Sequence, residues 1–501
     1  MALEEETIHA RVNTGMRWLL FTSVISLVSG FGTNVILGRI APELLGYYGY
    51  LSLTVSVLST FFIFGGANVI VNYLPRTDSG NKVSFIFTYA FFVVLAALTF
   101  LIIAYLFPSL LRIIYGDRYQ LSDTLVVITF LPMVIVQTIM WAVLQADMEF
   151  KGLAISQQII SWLNVVMFAF IFSGIVHTGL SISNEHIVYI VFLGSNVISI
   201  LIGLYRFFHI YKSSWQFPKF YVPKGFWRFT VTFHLGTLLA FVILYADQLV
   251  IFRFSGFKEL GFYRAAVVLA QFSVWAPQVI DRSVYSTFCN LISNKKSILE
   301  PYLKFCRINV LASSAIGMVL ILFSREILYL FGKQFSDTAY LFLIILTMAK
   351  LLTAPINMVS GALLTAMQKV NVTLIGNATG AAIALILYHF LTSRFGVIGV
   401  VYGYFLVNVY LLVYVSIASW YYSRIPFPAK IYLFMLLIIG TSLLGWYMFS
   451  DLSLQNIFIK CGLAAGSIFV ILKLNIMQGE DVREVIGTFL PLKYFRVGTS
   501  A

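Results

Sequence analysis

LLGYYGY at Leu44–Tyr50 and ELGFYRA at Glu259–Ala265 say nearly the same thing twice. Leu45-Gly46-Tyr47-Tyr48 aligns with Leu260-Gly261-Phe262-Tyr263 at an offset of 215 residues. The pattern continues downstream in the same order. YGDRY at Tyr115–Tyr119 resembles FGKQF at Phe331–Phe335 at an offset of 216, and LQA at Leu144–Ala146 matches LTA at Leu364–Ala366 at an offset of 220. A slowly growing offset is what a duplicated unit with small loop insertions leaves behind. Pro132 and Pro355 fall in the fourth apolar run of each copy.

Composition says where such a unit must live. The chain is 60% hydrophobic and 11% charged, with a mean hydropathy of +0.91. A water-soluble domain is about one quarter charged, so this chain reads as a polytopic membrane protein. Its start is acidic, with no small-residue cleavage site before a short apolar core, so the first span is expected to act as the insertion signal. Cys289, Cys306 and Cys461 have no metal-binding spacing and imply no disulfide framework.

A helix needs about 20 apolar residues to cross the hydrocarbon. Such runs occur near 17–38, 47–74, 83–107, 124–145, 155–176, 187–205, 230–254, 262–290, 308–331, 338–366, 371–391, 397–421, 430–449 and 454–474. The expected fold is therefore all-α and integral to the membrane, with about 14 transmembrane helices. Placing the N-terminus inside puts 21 of the 33 Lys and Arg on the inner side and 10 on the outer, with Arg282 and Lys350 within spans. That bias predicts a multi-pass cell-membrane protein with both termini cytoplasmic. It also accounts for the net charge of +13 without nucleic acid.

Each repeat holds six spans. Six is even, so both copies enter the membrane in the same direction, as parallel repeats about an axis along the membrane normal. The expected layout is a tail (1–16), an N-lobe (17–206), an interfacial linker (207–228), a C-lobe (229–422), two extra helices (423–475) and a second tail (476–501). Gly46 and Gly261 are expected to form tight turns at the outer face, with the adjoining aromatic pairs at headgroup depth. The linker region, YRFFHIYKSSWQFPKFYVPKGFWRF at Tyr205–Phe229, mixes basic and aromatic residues and reads as lying on an anionic inner leaflet.

GRIAPELLGYYGY, FGGANVIVNYLPR at Phe64–Arg76 and YADQLVIFRFSGFKELGFYRAA at Tyr245–Ala266 together resemble the polysaccharide flippase branch of the multidrug/oligosaccharidyl-lipid/polysaccharide exporter superfamily. The likeness runs from residue 17 to about 421. It implies a V-shaped pair of six-helix bundles, alternating access, and a polyprenyl-diphosphate-linked oligosaccharide passed from the inner to the outer leaflet. Its implied partners are membrane lipids, that substrate, and polysaccharide polymerase and glycosyltransferases. A monomer without cofactor is expected. Lipid II flippases share the fold and carry several cavity arginines, whereas the N-lobe spans here hold almost no charge in their middles. A cation-coupled multidrug exporter and, behind it, a membrane glycosyltransferase or polymerase are the alternatives. No Ser/His/Asp set, HExxH or P-loop supports an enzyme.

Charged groups within spans are expensive and usually face a cavity or a partner. Arg282 and Lys350 are candidates to meet the diphosphate, and Asp247 and Asp281 to carry a coupling ion. Amides both donate and accept, which suits sugar hydroxyls, so Asn34, Asn68 and Gln137 join the substrate-binding candidates, with Arg39 and Arg253 at the outer rim. Interhelical bonding is the bland reading of each amide. Gly65-Gly66, Pro132, Pro277 and Pro355 are candidate flex points.

Overall fold

The computed structural model describes residues 22, 24–65, 67–107, 121–173, 183–212, 218–293, 295–367, 369–449 and 453–473. Both expected tails lie outside them. Among the described residues the regular structure is helical: α1 (Val24–Ile40), α2 (Pro42–Phe62), α3 (Ala67–Tyr73), α4 (Lys82–Leu106), α5 (Leu121–Ala146), α6 (Phe150–Phe172), α7 (Asn184–Tyr211), α8 (Phe226–Ser255), α9 (Phe257–Ser293), α10 (Leu299–Leu322), α11 (Ser324–Tyr329), α12 (Lys333–Thr338), α13 (Tyr340–Ala366), α14 (Val370–Phe395), α15 (Val397–Ser423), α16 (Ala429–Met448) and α17 (Leu454–Lys473). Eleven of these are long and apolar enough to cross a membrane. The other three expected spans fall on α1, α9 and α17, so eleven of the fourteen expected spans are matched by length and composition among the described residues.

The chain forms two compact units, 1–264 and 265–501. In the first, α7 packs on α5 and α6, α5 also meets α2 and α3, and α8 lies along α2. In the second, α13 packs on α10 and α15, α14 lies on α15, and α10 meets α16. Val284, Phe288, Met318, Leu351, Leu363 and Phe434 contribute to the second unit's buried core. Leu95, Leu98 and Ile102 on α4 stay exposed, as side chains facing lipid do.

Local chemistry sets several helix ends. Pro42 opens α2, where its missing N–H costs nothing. The Ser183 side chain accepts from the His186 N–H and caps α7. Gly256 adopts φ +87° between α8 and α9, and its N–H closes on the carbonyls of Ile251 and Phe252. The expected single span at 47–74 is broken. α2 stops at Phe62, Gly65 turns with φ +70°, and α3 resumes at Ala67. Tyr89 donates to the Phe64 carbonyl at 2.9 Å, satisfying a backbone acceptor that the break releases.

Candidate functional site

The twin stretches do not form turns. Gly46 sits inside α2 and Gly261 inside α9, and in the first unit they face each other. A methyl group on Gly46 would lie 1.8 Å from the Phe257 carbonyl oxygen, and one on Gly261 would lie 2.0 Å from that of Pro42. The glycines are therefore needed for backbone-to-backbone approach, not for a turn's dihedral angles. The turns belong to Ala41, in extended conformation, and to Gly256. The contact is also reciprocal. Adding 215 to Pro42 and Gly46 gives Phe257 and Gly261, so residue i meets the copy of j while j meets the copy of i. That is the mark of a local two-fold axis.

Aromatic packing closes around this point. The Tyr50 ring lies 4.8 Å from Phe252 and 5.6 Å from Phe257, and Tyr47 meets Phe257 edge-on at 5.5 Å. Tyr48, Phe262 and Tyr263 are buried, which corrects their expected place at the headgroups. Each tyrosine hydroxyl is used inside the protein. Tyr48 Oη accepts from Asn164 Nδ2 at 3.2 Å, and Tyr263 Oη donates to Asp247 Oδ2 at 2.5 Å.

Arg264 follows Tyr263. It stands near the start of the expected span 262–290, and it lies seven residues into α9, about 10 Å from the helix start at 1.5 Å per residue. Its side chain runs beside Gly49, its own counterpart at the offset of 215. A methyl group on Gly49 would lie 2.7 Å from Arg264 Cδ. Arg264 Nε donates to Asn34 Oδ1 at 3.2 Å and Nη2 to Ser52 Oγ at 3.3 Å, while the guanidinium stands 5.1 Å over the Tyr48 ring. These partners are all neutral. Among the described residues no carboxylate pairs with it. The side chain is half-buried, and a guanidinium carries five donors.

Asp247 is 2% exposed. Its Oδ1 accepts from the Gln248 N–H at 2.7 Å and its Oδ2 from Tyr263, so the carboxylate is held by hydrogen bonds within the first unit. The structure thus brings two sequence candidates, Asn34 and Asp247, to consecutive residues of α9, Arg264 and Tyr263.

In the second unit Lys350 lies within α13, half-buried. Its Nζ donates to Gln271 Oε1 at 2.9 Å and stands 5.7 Å over the Tyr404 ring. One turn on, Thr353 donates to Asn408 at 3.3 Å. Like Arg264, Lys350 pairs with no carboxylate among the described residues.

The remaining candidates are scattered. Gln137 is buried and donates to Asn196 and Ser199 at 3.2 and 3.3 Å, joining α5 to α7. Asn68 is exposed on α3, and Arg39 and Arg253 are exposed near the ends of α1 and α8. Asp281 and Arg282 belong to α9, but their side chains lie outside the described residues. Among the described residues no group of three His, Cys, Asp or Glu could hold a metal ion. Sequence reasoning missed Arg264, Tyr48, Tyr263 and Gln271. The signal for Arg264 was present: the repeat that aligns the twin stretches sets it against Gly49.

The sequence matches the family model described as polysaccharide biosynthesis protein over residues 13–279, just over half of the chain. No curated protein matches it. Among solved structures it is similar to the lipid II flippase MurJ in an inward closed conformation, at 16% identity and a TM-score of 0.69, covering 92% of this chain and 99% of that one. It is similar also to an inward-facing multidrug resistance MATE family transporter of the MOP superfamily, at 13% identity and a TM-score of 0.61, covering 80% and 96%. A MOP superfamily transporter from Pyrococcus furiosus matches at 13% identity and a TM-score of 0.51, covering 82% and 95%. These likenesses establish the fold.

Proposed function

Because the chain belongs to the polysaccharide biosynthesis protein family, we propose that it flips a polyprenyl-diphosphate-linked oligosaccharide from the inner to the outer leaflet by alternating access. The observation that carries this reading is Arg264. A half-buried cation among apolar helices is costly unless an anion meets it, and among the described residues the partners of Arg264 are an amide, a hydroxyl and an aromatic face. A diphosphate supplies the missing anion, and a guanidinium can grip its oxygens in pairs. Lys350, in the second unit, likewise pairs with no carboxylate among the described residues. Both positions disfavour a hydrophobic cation as cargo. We assign Asn34 to the substrate side of the site and Asp247 to coupling, because its buried carboxylate lies one residue's reach from Arg264 through Tyr263.

The physical task is simple to state. The sugar and diphosphate cannot cross hydrocarbon unaided, since each unpaired polar group costs several kcal/mol. The polyprenyl tail can remain in lipid. The protein therefore has to supply a polar path and do no covalent chemistry. The test is depletion of the protein in cells. Lipid-linked units should accumulate on the inner leaflet with unchanged composition. Units that still reach the outer leaflet but with altered linkage would replace this reading with an enzymatic one.

A further inference from the structure

Between Tyr205 and Phe229 the chain carries Arg206, Lys212, Lys219, Lys224 and Arg228 and no Asp or Glu. Arg206 approaches Glu149 at 3.7 Å. The other four cations are exposed, and among the described residues no carboxylate pairs with them. The stretch passes from the end of α7 to the start of α8, where two spans leave the membrane on the same side.

The described part of the connection before α8, residues 218–225, is tied to α4. The Lys219 N–H donates to Ser84 Oγ at 3.1 Å, and the Tyr221 N–H donates to Thr88 Oγ1 at 2.9 Å. Ser84 and Thr88 are one turn apart on α4, so they hold alternate amides of an extended strap. Between those amides, Phe220 packs edge-on against Phe87, Phe91 and Phe92, with centroids 6.4, 5.1 and 6.3 Å away. It nonetheless leaves 61% of its surface open, and Val222 and Trp227 are also exposed. At the other end of the connection, Tyr205, Phe208, His209 and Lys212 line a groove of about 410 Å³. Their spacing of three, four and seven residues sets them on one face of α7, and the His209 ring stacks on Tyr205 at 6.5 Å.

We propose that this collar binds anionic phospholipid, with the headgroup phosphate in the groove beside Lys212 and His209 and along the strap's lysines, and the acyl chains against Phe220, Val222 and Trp227. The occupant follows from complementarity. Four exposed cations that pair with no carboxylate among the described residues select an anion, and exposed aromatic and aliphatic groups at the ends of membrane spans select one that carries hydrocarbon. Each basic residue near an anionic leaflet adds to the attraction. Pinning the strap on Ser84 and Thr88 lowers the ordering cost of binding. The proposal concerns annular lipid and does not rest on the transport reading.

The full chain in detergent, mixed with equal phosphatidylglycerol and phosphatidylcholine, tests it by native mass spectrometry. Phosphatidylglycerol should be retained preferentially. The preference should fall at least about tenfold in a K212Q/K219Q/K224Q/R228Q variant. S84A/T88V leaves every charge in place. It should weaken the preference and speed amide hydrogen exchange at Lys219 and Tyr221. Equal retention of both lipids by the unchanged protein overturns the proposal, as does full preference in the quadruple variant. If the quadruple variant does not fold, diazirine-labelled phosphatidylglycerol on the unchanged protein decides it. Labelling within 205–229 supports the collar, and labelling only elsewhere overturns it.

Discussion

The corner at Pro42–Tyr50 and the corner at Phe257–Arg264 share a sequence pattern and do different work. Both supply a glycine to the close backbone contact, and both supply a tyrosine whose hydroxyl reaches inward. They part at the next residue. Gly49 leaves a space, and Arg264 fills it. They part again at the tyrosines' partners, which are the neutral Asn164 for Tyr48 and the carboxylate of Asp247 for Tyr263. The shared residues build the joint, and the divergent ones carry the charge. Two like stretches thereby make unlike contacts.

The largest expected effect comes from the shared part. Gly46→Ala or Gly261→Ala drives a methyl group into a carbonyl oxygen at 1.8 or 2.0 Å, and both neighbours are backbone that cannot rotate away. Each should destabilise the protein by about 4 kcal/mol or more, read as a large fall in unfolding temperature in detergent. Gly361→Ala is the control. Nothing lies within 4 Å of its added carbon, and alanine favours a helix, so its melting should be unchanged or slightly raised. A mild effect at Gly46 together with a severe one at Gly261 would break the reciprocity of the contact.

Next comes the divergent cation. Arg264→Gln keeps a donor for Asn34 and Ser52 but removes the charge, and transport should fall roughly 10- to 100-fold, the range for losing a charge-assisted contact. Arg264→Lys should recover part of it, because a point charge remains while the paired geometry is lost. Unfolding temperature should move little in either variant. A variant that transports normally without this charge removes Arg264 from the site.

The spans were legible because hydropathy over 20 residues reports directly on the solvent a helix must meet. The repeat was legible because the glycines are held by backbone contact, which leaves little freedom for substitution. What the glycines do was not. A glycine in a turn and a glycine under another helix look alike in sequence, and only the position of Phe257 against Gly46 separates them. Arg264 was hidden by its nearness to a boundary. It falls two residues inside the apolar run that begins at Phe262, where a cation reads as part of the rim, whereas α9 begins at Phe257, because Lys258 and Glu259 lower the hydropathy without ending the helix. Lys460 shows a related limit. It falls inside the expected span 454–474 and is fully buried against Glu326, and hydropathy does not register which polar residue will find a partner. Asn34 and Asp247 were identified as polar residues within spans, but their shared neighbourhood needed the packing of α9.

The tyrosines give the smallest and sharpest test. Tyr263→Phe removes a donor from a buried carboxylate, and a hydrogen bond to a charged group contributes about 1.5–3 kcal/mol. The variant should lose that much stability, and its transport should change its response to an imposed ion gradient if Asp247 couples. Tyr48→Phe removes a neutral partner from Asn164. An interhelical bond of that kind averages about 0.6 kcal/mol, so the melting shift should be barely resolved. The phenylalanine ring still presents a face to the Arg264 guanidinium, 5.1 Å away, and so preserves the cation–π contact. Transport by Tyr48→Phe should therefore match the unchanged protein while Tyr263→Phe departs from it. The two substitutions delete the same atom at equivalent places in the repeat, so the global cost of losing a hydroxyl cancels between them. What remains is the difference between an amide partner and a carboxylate partner. Equal behaviour of the two variants would mean that Asp247 does no more than Asn164 does, and coupling would have to be sought elsewhere.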